Sequence, residues 1–238
     1  MNVDALTYAA CLDNVACVAD NPSYSFEHED IRNRNALDDI FQKHQPDAVM
    51  HLAAESHVDR SIDRPTDFIE TNVNGTFNIL NAIVNENSNP NLKFINVSTN
   101  KVYGDLSWDK LSESDKRFNS VNFENGYNEN TQLKFSSPYG CSKGSAEQYV
   151  LDYSDTFGLN TVSIRLSSIF GINQYFTYDQ GWIGWFINEF LKFKNDGSYS
   201  IQILGNGKQV RDILYINDLI NLFHKILDTD FEILQKTV

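Results

Sequence analysis

Short apolar runs alternate with amphipathic stretches along nearly the whole chain, and this rhythm constrains the fold more than any other feature. The apolar runs fall at residues 2–6, 24–27, 48–52, 94–98, 161–165 and 201–204. Between them, stretches with helical periodicity occupy 36–44, 66–87, 139–157, 181–194 and 217–227. A strand buried on both faces reads as a continuous apolar string rather than an alternating one. The pattern therefore predicts an α/β fold, with a parallel sheet covered by helices on both sides. Gln45-Pro46-Asp47 supplies a helix stop just before the run Ala48-Val49-Met50-His51-Leu52. The segment 105–138 breaks the rhythm, being long, polar and studded with Trp108, Phe118, Phe123, Tyr127 and Phe135. It reads either as a functional wall or lid or as an aromatic-stapled surface excursion.

Composition narrows the partners. The chain has 238 residues, 19 Lys+Arg against 32 Asp+Glu, and a formal net charge of −13. Such a balance argues against nucleic acid or an anionic membrane as the main partner, since either needs a broad basic face. A phosphate-bearing ligand would need its cations gathered locally. No run approaches the roughly 18 apolar residues of a membrane span, and Met1-Asn2-Val3-Asp4 does not begin a signal peptide. Cys11, Cys17 and Cys141 are odd in number and lack metal spacing. Reduced thiols in a cytoplasm are expected, with no metal.

The chemistry concentrates at two places. Tyr139-Gly140-Cys141-Ser142-Lys143 opens a helix, and the i, i+4 spacing puts Tyr139 and Lys143 on one face. A nearby ammonium favours the phenolate, which would lower the tyrosine pKa and make it a general base for a hydroxyl proton. A two-residue motif also arises by chance, so its context matters. That context is a strand, Phe94-Ile95-Asn96-Val97-Ser98-Thr99, ending in hydroxyls where a parallel sheet binds ligands.

The Ser98-Thr99 strand end, the Tyr139/Lys143 pair and the helix bearing Asn72-Val73-Asn74-Gly75-Thr76 together resemble the extended short-chain dehydrogenase/reductase (NAD-dependent epimerase/dehydratase) family. The resemblance implies a Rossmann-like doubly wound sheet, NAD as cofactor and a nucleotide-diphosphate sugar as substrate. It implies Thr99, Tyr139 and Lys143 as the catalytic group. Thr99 would bond the sugar hydroxyl, Tyr139 would remove its proton, and Lys143 would hold the nicotinamide ribose while tuning Tyr139.

Two subfamilies compete. His51-Leu52-Ala53-Ala54-Glu55-Ser56-His57-Val58-Asp59-Arg60 and the first half around it resemble the dTDP-glucose 4,6-dehydratases. Ser98-Thr99-Asn100-Lys101-Val102-Tyr103-Gly104-Asp105, Ser137-Pro138-Tyr139-Gly140-Cys141-Ser142-Lys143-Gly144 and the run from Tyr178 to Phe186 resemble the CDP-paratose (CDP-tyvelose) 2-epimerases. The dehydratases carry Asp-Glu after the threonine, one to protonate the departing hydroxyl and one to take a carbon-bound proton. Here those positions are Asn100 and Lys101. An amide cannot be the acid, and a lysine near its ordinary pKa of about 10.4 is a poor base at neutral pH. Epimerisation by transient oxidation of a sugar carbon needs neither group, so the epimerase reading is preferred.

For the substrate, the resemblance implies contacts from Thr99 and Asn100, and from Lys208 and Arg211 in Gly205-Asn206-Gly207-Lys208-Gln209-Val210-Arg211-Asp212. An arginine fork matches phosphate oxygens, with the lysine as a nearby point charge. Arg165 reads as a buried structural cation, and Trp182 and Trp185 as core or groove wall as readily as base-stacking groups. For the cofactor, the implied contacts are Asp4, Asp30, Ile31, Ala53, Ala54, Ser56, Tyr139 and Lys143, with Asp4 on the adenosine ribose favouring NAD over NADP.

Against the family pattern, the residues matching the second strand begin at Asn2, and the Gly-rich phosphate loop has no counterpart. The expectation is a dinucleotide-binding domain at 1–170 lacking its first βα unit, with a partial nucleotide-sugar region at 171–238. Removing a central strand would leave two neighbours without a hydrogen-bonding partner. A non-catalytic truncated remnant, or an enzyme whose phosphate loop comes from another chain, stays open beside the epimerase. A homodimer through the helices at 66–87 and 139–157 is also implied.

Overall fold

A computed structural model describes residues 1–177, 180–198, 200–201, 203 and 205–231. Its centre is a parallel sheet of β3 (Ala48–His51), β4 (Lys93–Thr99) and β7 (Asn160–Leu166), with β4 in the middle. The register runs Ala48 to Lys93 on one side of β4 and from Lys93–Asn160 to Thr99–Leu166 on the other. Phe94 and Ile95 are both fully buried, yet belong to opposite faces. Phe94 joins a core with Leu37, Phe41, Ile79, Leu80, Ile83 and Val150, contributed by α1 (Arg34–His44), α4 (Thr76–Glu86) and α5 (Pro138–Phe157). Ile95 joins Leu219, Phe223 and Ile226 of α7 (Ile216–Asp228). Successive strand residues point to opposite faces, so adjacent buried apolar residues report helices on both. The doubly covered sheet expected from the apolar runs is therefore present.

β1 (Asn2–Val3) pairs in parallel with β2 (Phe26–Glu27), and among the described residues neither joins β3. This is the break expected of a doubly wound sheet without its central strand. β3 is correspondingly less covered than its sequence implies: Met50 is 39% exposed. β8 (Ser168–Phe170) pairs in parallel with β9 (Ile213–Tyr215), beyond the carboxyl end of β7. α6 (Trp182–Asn195) lies between them in sequence. Of the apolar run at 201–204, Gln202 and Leu204 lie outside the described residues, and Ile201 and Ile203 form no strand. Tyr178 and Asp179 also lie outside them, as do residues 232–238.

Local signals account for the helix ends. Ser137 caps α5 by accepting the Gly140 amide at 3.1 Å, Pro138 occupies the first turn, and Gly158 ends the helix at φ 69°. α1 starts on Asn33, whose side chain accepts the Ala36 amide, and ends at Gln45 before Pro46. The stretch read as one helix at 66–87 is three pieces: α3 (Pro65–Phe68), a π-helical turn (Ile69–Gly75) and α4. A short α2 (Val58–Asp63) precedes them.

The segment 105–138 has the aromatic staple of one of the two readings, and it lines a cleft. It contains an antiparallel hairpin of β5 (Leu111–Glu113) and β6 (Phe118–Ser120). Trp108, Phe123 and Tyr127 staple it at ring separations of 5.0–5.6 Å, in tilted and edge-on arrangements. It also forms a wall of the principal cleft. No helix among the described residues is long and apolar enough to cross a membrane.

Candidate active site

β4 ends in Ser98 and Thr99, both buried, and a 3₁₀ turn (Asn100–Tyr103) follows directly. Gly140, in the first turn of α5, packs on this turn: a Cβ there would stand 2.8 Å from the Lys101 carbonyl oxygen. Only glycine permits that approach. The contact brings Tyr139 to the carboxyl edge of the sheet, where it lines a cleft of about 310 Å³ with Thr99, Asn100, Lys101 and Ser56. Trp182 and Gln180 close the far side. Among the described residues no carboxylate lines this small cleft. It shares Asn100, Lys101, Ser56 and Trp182 with a larger cleft of about 2100 Å³ that extends past Arg165 and the 105–138 segment to Arg211.

Beneath the small cleft, Lys143 is only 4% exposed. Burial pushes its pKa down to about 8, opposed by the negative charge of Glu147. Its ammonium makes no hydrogen bond or ion pair among the described residues. Tyr139 departs from expectation. Burial raises its pKa above the ordinary phenol value, and the nearby Thr99 hydroxyl pulls it partly back. The expected lowering by Lys143 is absent: desolvation of the ring is the largest influence, and the ammonium one turn away makes no resolved contribution.

A polar scaffold fixes this helix pair. Asn72, in the π-helical turn, donates from Nδ2 to the Glu55 carbonyl and to Ser142 Oγ, both at 2.9 Å, and its Oδ1 accepts the Glu55 amide at 2.8 Å. Ser142 Oγ in turn donates to the Tyr139 carbonyl at 2.9 Å. Wide π turns of this kind recur at functional sites.

The remaining expected residues are dispersed. Asp4 is exposed and accepts the Leu6 amide, and Asp30 is held by Arg32 at 2.6 Å. Ile31 is 8% exposed and packs in the core, so its side chain is a structural group there. Ala53 is exposed and Ala54 half-buried, while Ser56 reaches the cleft and accepts from Gln180 at 3.3 Å. Arg211 lines the large cleft, but Lys208 does not; it is committed to Glu113 of β5 at 2.7 Å. The structure thus separates the two cations that the sequence grouped, because a hairpin 95 residues upstream supplies a partner for one of them. Arg165 is the structural cation it was read to be, paired with Glu147. Glu147 itself was missed, although Tyr139, Lys143 and Glu147 follow an i, i+4, i+8 spacing on one helix face. Among the described residues no group of three or more His, Cys, Asp or Glu is gathered to hold a metal.

Comparison with known proteins agrees with this geometry. The model of the family described as NAD dependent epimerase/dehydratase matches residues 1–237. A CDP-paratose 2-epimerase of Salmonella typhi is 47% identical over 224 residues, covering 94% of this chain and 66% of the relative. A dTDP-glucose 4,6-dehydratase of Shigella flexneri is 39% identical over 224 residues, covering 92% of this chain and 58% of the relative. A double mutant of DesIV, a dTDP-glucose 4,6-dehydratase from Streptomyces venezuelae solved with NAD and DAU bound, superposes with a TM-score of 0.70 at 32% identity. That alignment covers 92% of this chain and 59% of the other. The chain spans 58–66% of the length of the curated relatives described here. With the family model matching from end to end and the sheet, π turn and Tyr139/Lys143 helix in place, the chain belongs to the NAD dependent epimerase/dehydratase family.

Proposed function

We propose that this chain carries the reaction centre of an NAD-dependent nucleotide-sugar epimerase of the CDP-paratose 2-epimerase type, working in the cytoplasm. The observation that carries the reading is the lining of the small cleft. It offers a hydroxyl and a phenol, Thr99 and Tyr139, and the cation Lys101, but among the described residues no carboxylate. Dehydration of a hexose requires a dedicated acid and base beside the sugar; inversion through a ketone requires only one group to take and return the hydroxyl proton.

The residues fit the nicotinamide end of NAD. Lys143 is a nearly buried ammonium without a hydrogen-bonding partner among the described residues, which suits donation to ribose hydroxyls, and Tyr139 stands one turn before it. Asp4, Asp30, Ala53, Ala54 and Ser56 are the groups assigned to the rest of the cofactor. NAD, when bound, supplies the acceptor and donor of a hydride. Tyr139 takes the proton of the sugar hydroxyl as the carbinol becomes a ketone, and returns it after the ketone has exposed its other face. Thr99 bonds the same oxygen and orients it, while Asn100 contacts the sugar. Burial raises the Tyr139 pKa, so the phenol gives up its own proton to solvent before it takes that of the sugar hydroxyl. Arg211, on the large cleft, is assigned to the diphosphate; Lys208, held by Glu113, is assigned there only if that pair opens.

Three free thiols support a reducing compartment. A homodimer through α4 and α5 is inferred from the exposed rings those helices share. The test is proton NMR of CDP-paratose incubated with the chain and NAD. Inversion at the sugar C2 supports the reading, whereas a 4-keto-6-deoxy product from dTDP-glucose overturns it in favour of a dehydratase. A folded chain that binds nucleotide sugar without any turnover is the binding-only remnant.

A further inference from the structure

Glu147 is 2% exposed, yet it is a carboxylate in the middle of α5. Burying a charge is costly, and a well-packed apolar side chain would often serve stability as well. What distinguishes Glu147 is where its partners stand. Oε2 accepts from Ser98 Oγ at 2.5 Å, and Ser98 is the residue before Thr99 at the end of β4. Oε1 accepts from Arg165 Nε at 2.9 Å and Nη2 at 2.6 Å, a two-pronged contact from β7. Arg165 Nη1 donates to the Tyr103 hydroxyl at 3.0 Å and the Glu129 carbonyl at 3.2 Å, and Tyr103 donates to the Asn128 carbonyl at 3.1 Å. One carboxylate therefore joins α5, both sheet strands beside the cleft, the turn after β4, the Asn128 carbonyl and the cleft wall at Glu129.

We propose that Glu147 is a positioning residue of the Thr99–Tyr139–Lys143 centre: by locking Ser98 and Arg165 it fixes the Thr99 hydroxyl against the Tyr139 phenol, and it supplies the negative charge that the Lys143 ammonium faces. This rests on the catalytic roles proposed above for those three residues. The groups around Lys143 are few. On α5, Tyr139 lies one turn before it and Glu147 one turn after. Glu147 is the carboxylate that favours its ammonium form. His51 on β3 interacts with it and is held neutral by burial. Arg165 on β7 and Tyr103 stand behind Glu147 rather than against Lys143. A buried anion shared between a fixed guanidinium and a titrating ammonium is a network in which losing one member changes the others.

The experiment uses the full chain and needs no turnover. Lysine and tyrosine titrations are followed by NMR on ¹³Cε-lysine and ¹³Cζ-tyrosine samples, with K143R and Y139F giving the assignments. In Glu147→Gln the Lys143 midpoint is expected to fall by about one unit or more, with Glu147→Asp restoring part of the shift. In Ser98→Ala, which keeps the ion pair, the Tyr139 midpoint is expected to rise as Thr99 loses its anchor. An unchanged Lys143 titration in folded Glu147→Gln, or an unchanged Tyr139 titration in Ser98→Ala, overturns the proposal. If Glu147→Gln does not fold, the double variant E147Q/R165M removes both buried charges and is read by the same Lys143 criterion. Failure of the epimerase reading shows separately, as a wild-type chain without turnover in the same samples.

Discussion

His51 Nε2 lies 2.9 Å from Thr76 Oγ1, and the Thr76 hydroxyl proton is already committed to the Asn72 carbonyl at 2.6 Å. The imidazole must then be the donor, which fixes the proton on Nε2. This links the end of β3 to the π-helical turn whose Asn72 holds Ser142 and, through it, the Tyr139 backbone.

Burial, with a smaller push from the Lys143 ammonium, lowers the His51 pKa from 6.5 to about 3. Between pH 6.5 and 3 the unfolded chain binds a proton that the folded chain does not, so stability falls as pH drops through that window. His51→Gln keeps a donor and removes the titration. The urea midpoint of the wild type, measured relative to this variant, should fall on going from pH 7 to pH 4. Parallel curves for the two proteins would show that His51 is not the acid-sensitive group.

Lys143 titrates the other end of the scale. Its folded pKa is about 8, against an ordinary lysine value of 10.5. The unfolded chain holds more protons between those values, so the unfolding free energy rises with pH from about 8 to 10.5. Below pH 8 the buried ammonium costs on the order of 3 kcal/mol, from about 1.4 kcal/mol per pKa unit. Lys143→Met should raise the melting temperature at pH 7 and lose that advantage by pH 10, while removing the group assigned to the nicotinamide ribose. A variant less stable than wild type at pH 7 would contradict the account.

How much of this was legible beforehand follows from what each signal measures. The runs at 48–52 and 94–98 announced parallel strands because burial on two faces leaves no polar alternation. The Tyr139 helix was legible from the i, i+4 pair that opens it; the Ser137 cap and Pro138 in its first turn are what the structure adds. The β5–β6 hairpin was not, since Leu111, Ser112 and Glu113 are all exposed and carry no apolar pattern. Its pairing with the Lys208 segment, through Glu113 and the Phe118 amide, is a long-range contact that no local spacing encodes. The Tyr139 pKa failed for a related reason: spacing reports the neighbouring ammonium, but desolvation depends on what the whole fold places over the ring. Glu147 was legible as a third residue on the same helix face, but its partners Ser98 and Arg165 belong to strands whose register only the fold reveals.

Gly140 is the position where α5 and the turn after Thr99 meet most closely. Alanine there would put Cβ 2.8 Å from the Lys101 carbonyl, a backbone atom that cannot swing aside. Gly140→Ala should cost about 1–3 kcal/mol in chemical denaturation. Gly197→Ala, where nothing lies within 4 Å, serves as the matched control. Equal stability of the two variants would mean that the turn yields freely and does not set the place of Tyr139.

Phe77 of α4 and Tyr149 of α5 meet edge to face at 5.9 Å, yet they remain 41% and 44% exposed. Phe157 on α5 and Val84 on α4 are exposed as well, at 52% and 36%. Two packed helices that leave aromatic rings in water present a surface suited to a second copy of themselves, since self-association would bury those rings. Charge placed there should oppose association without disturbing the core, because Tyr149 lies outside it. Tyr149→Glu is therefore expected to sediment as a monomer at concentrations where the wild type is a dimer, with an unchanged circular dichroism spectrum. A wild type that sediments as a monomer at tens of micromolar would remove the basis for the dimer, and a Tyr149→Glu variant that remains dimeric would move the interface elsewhere.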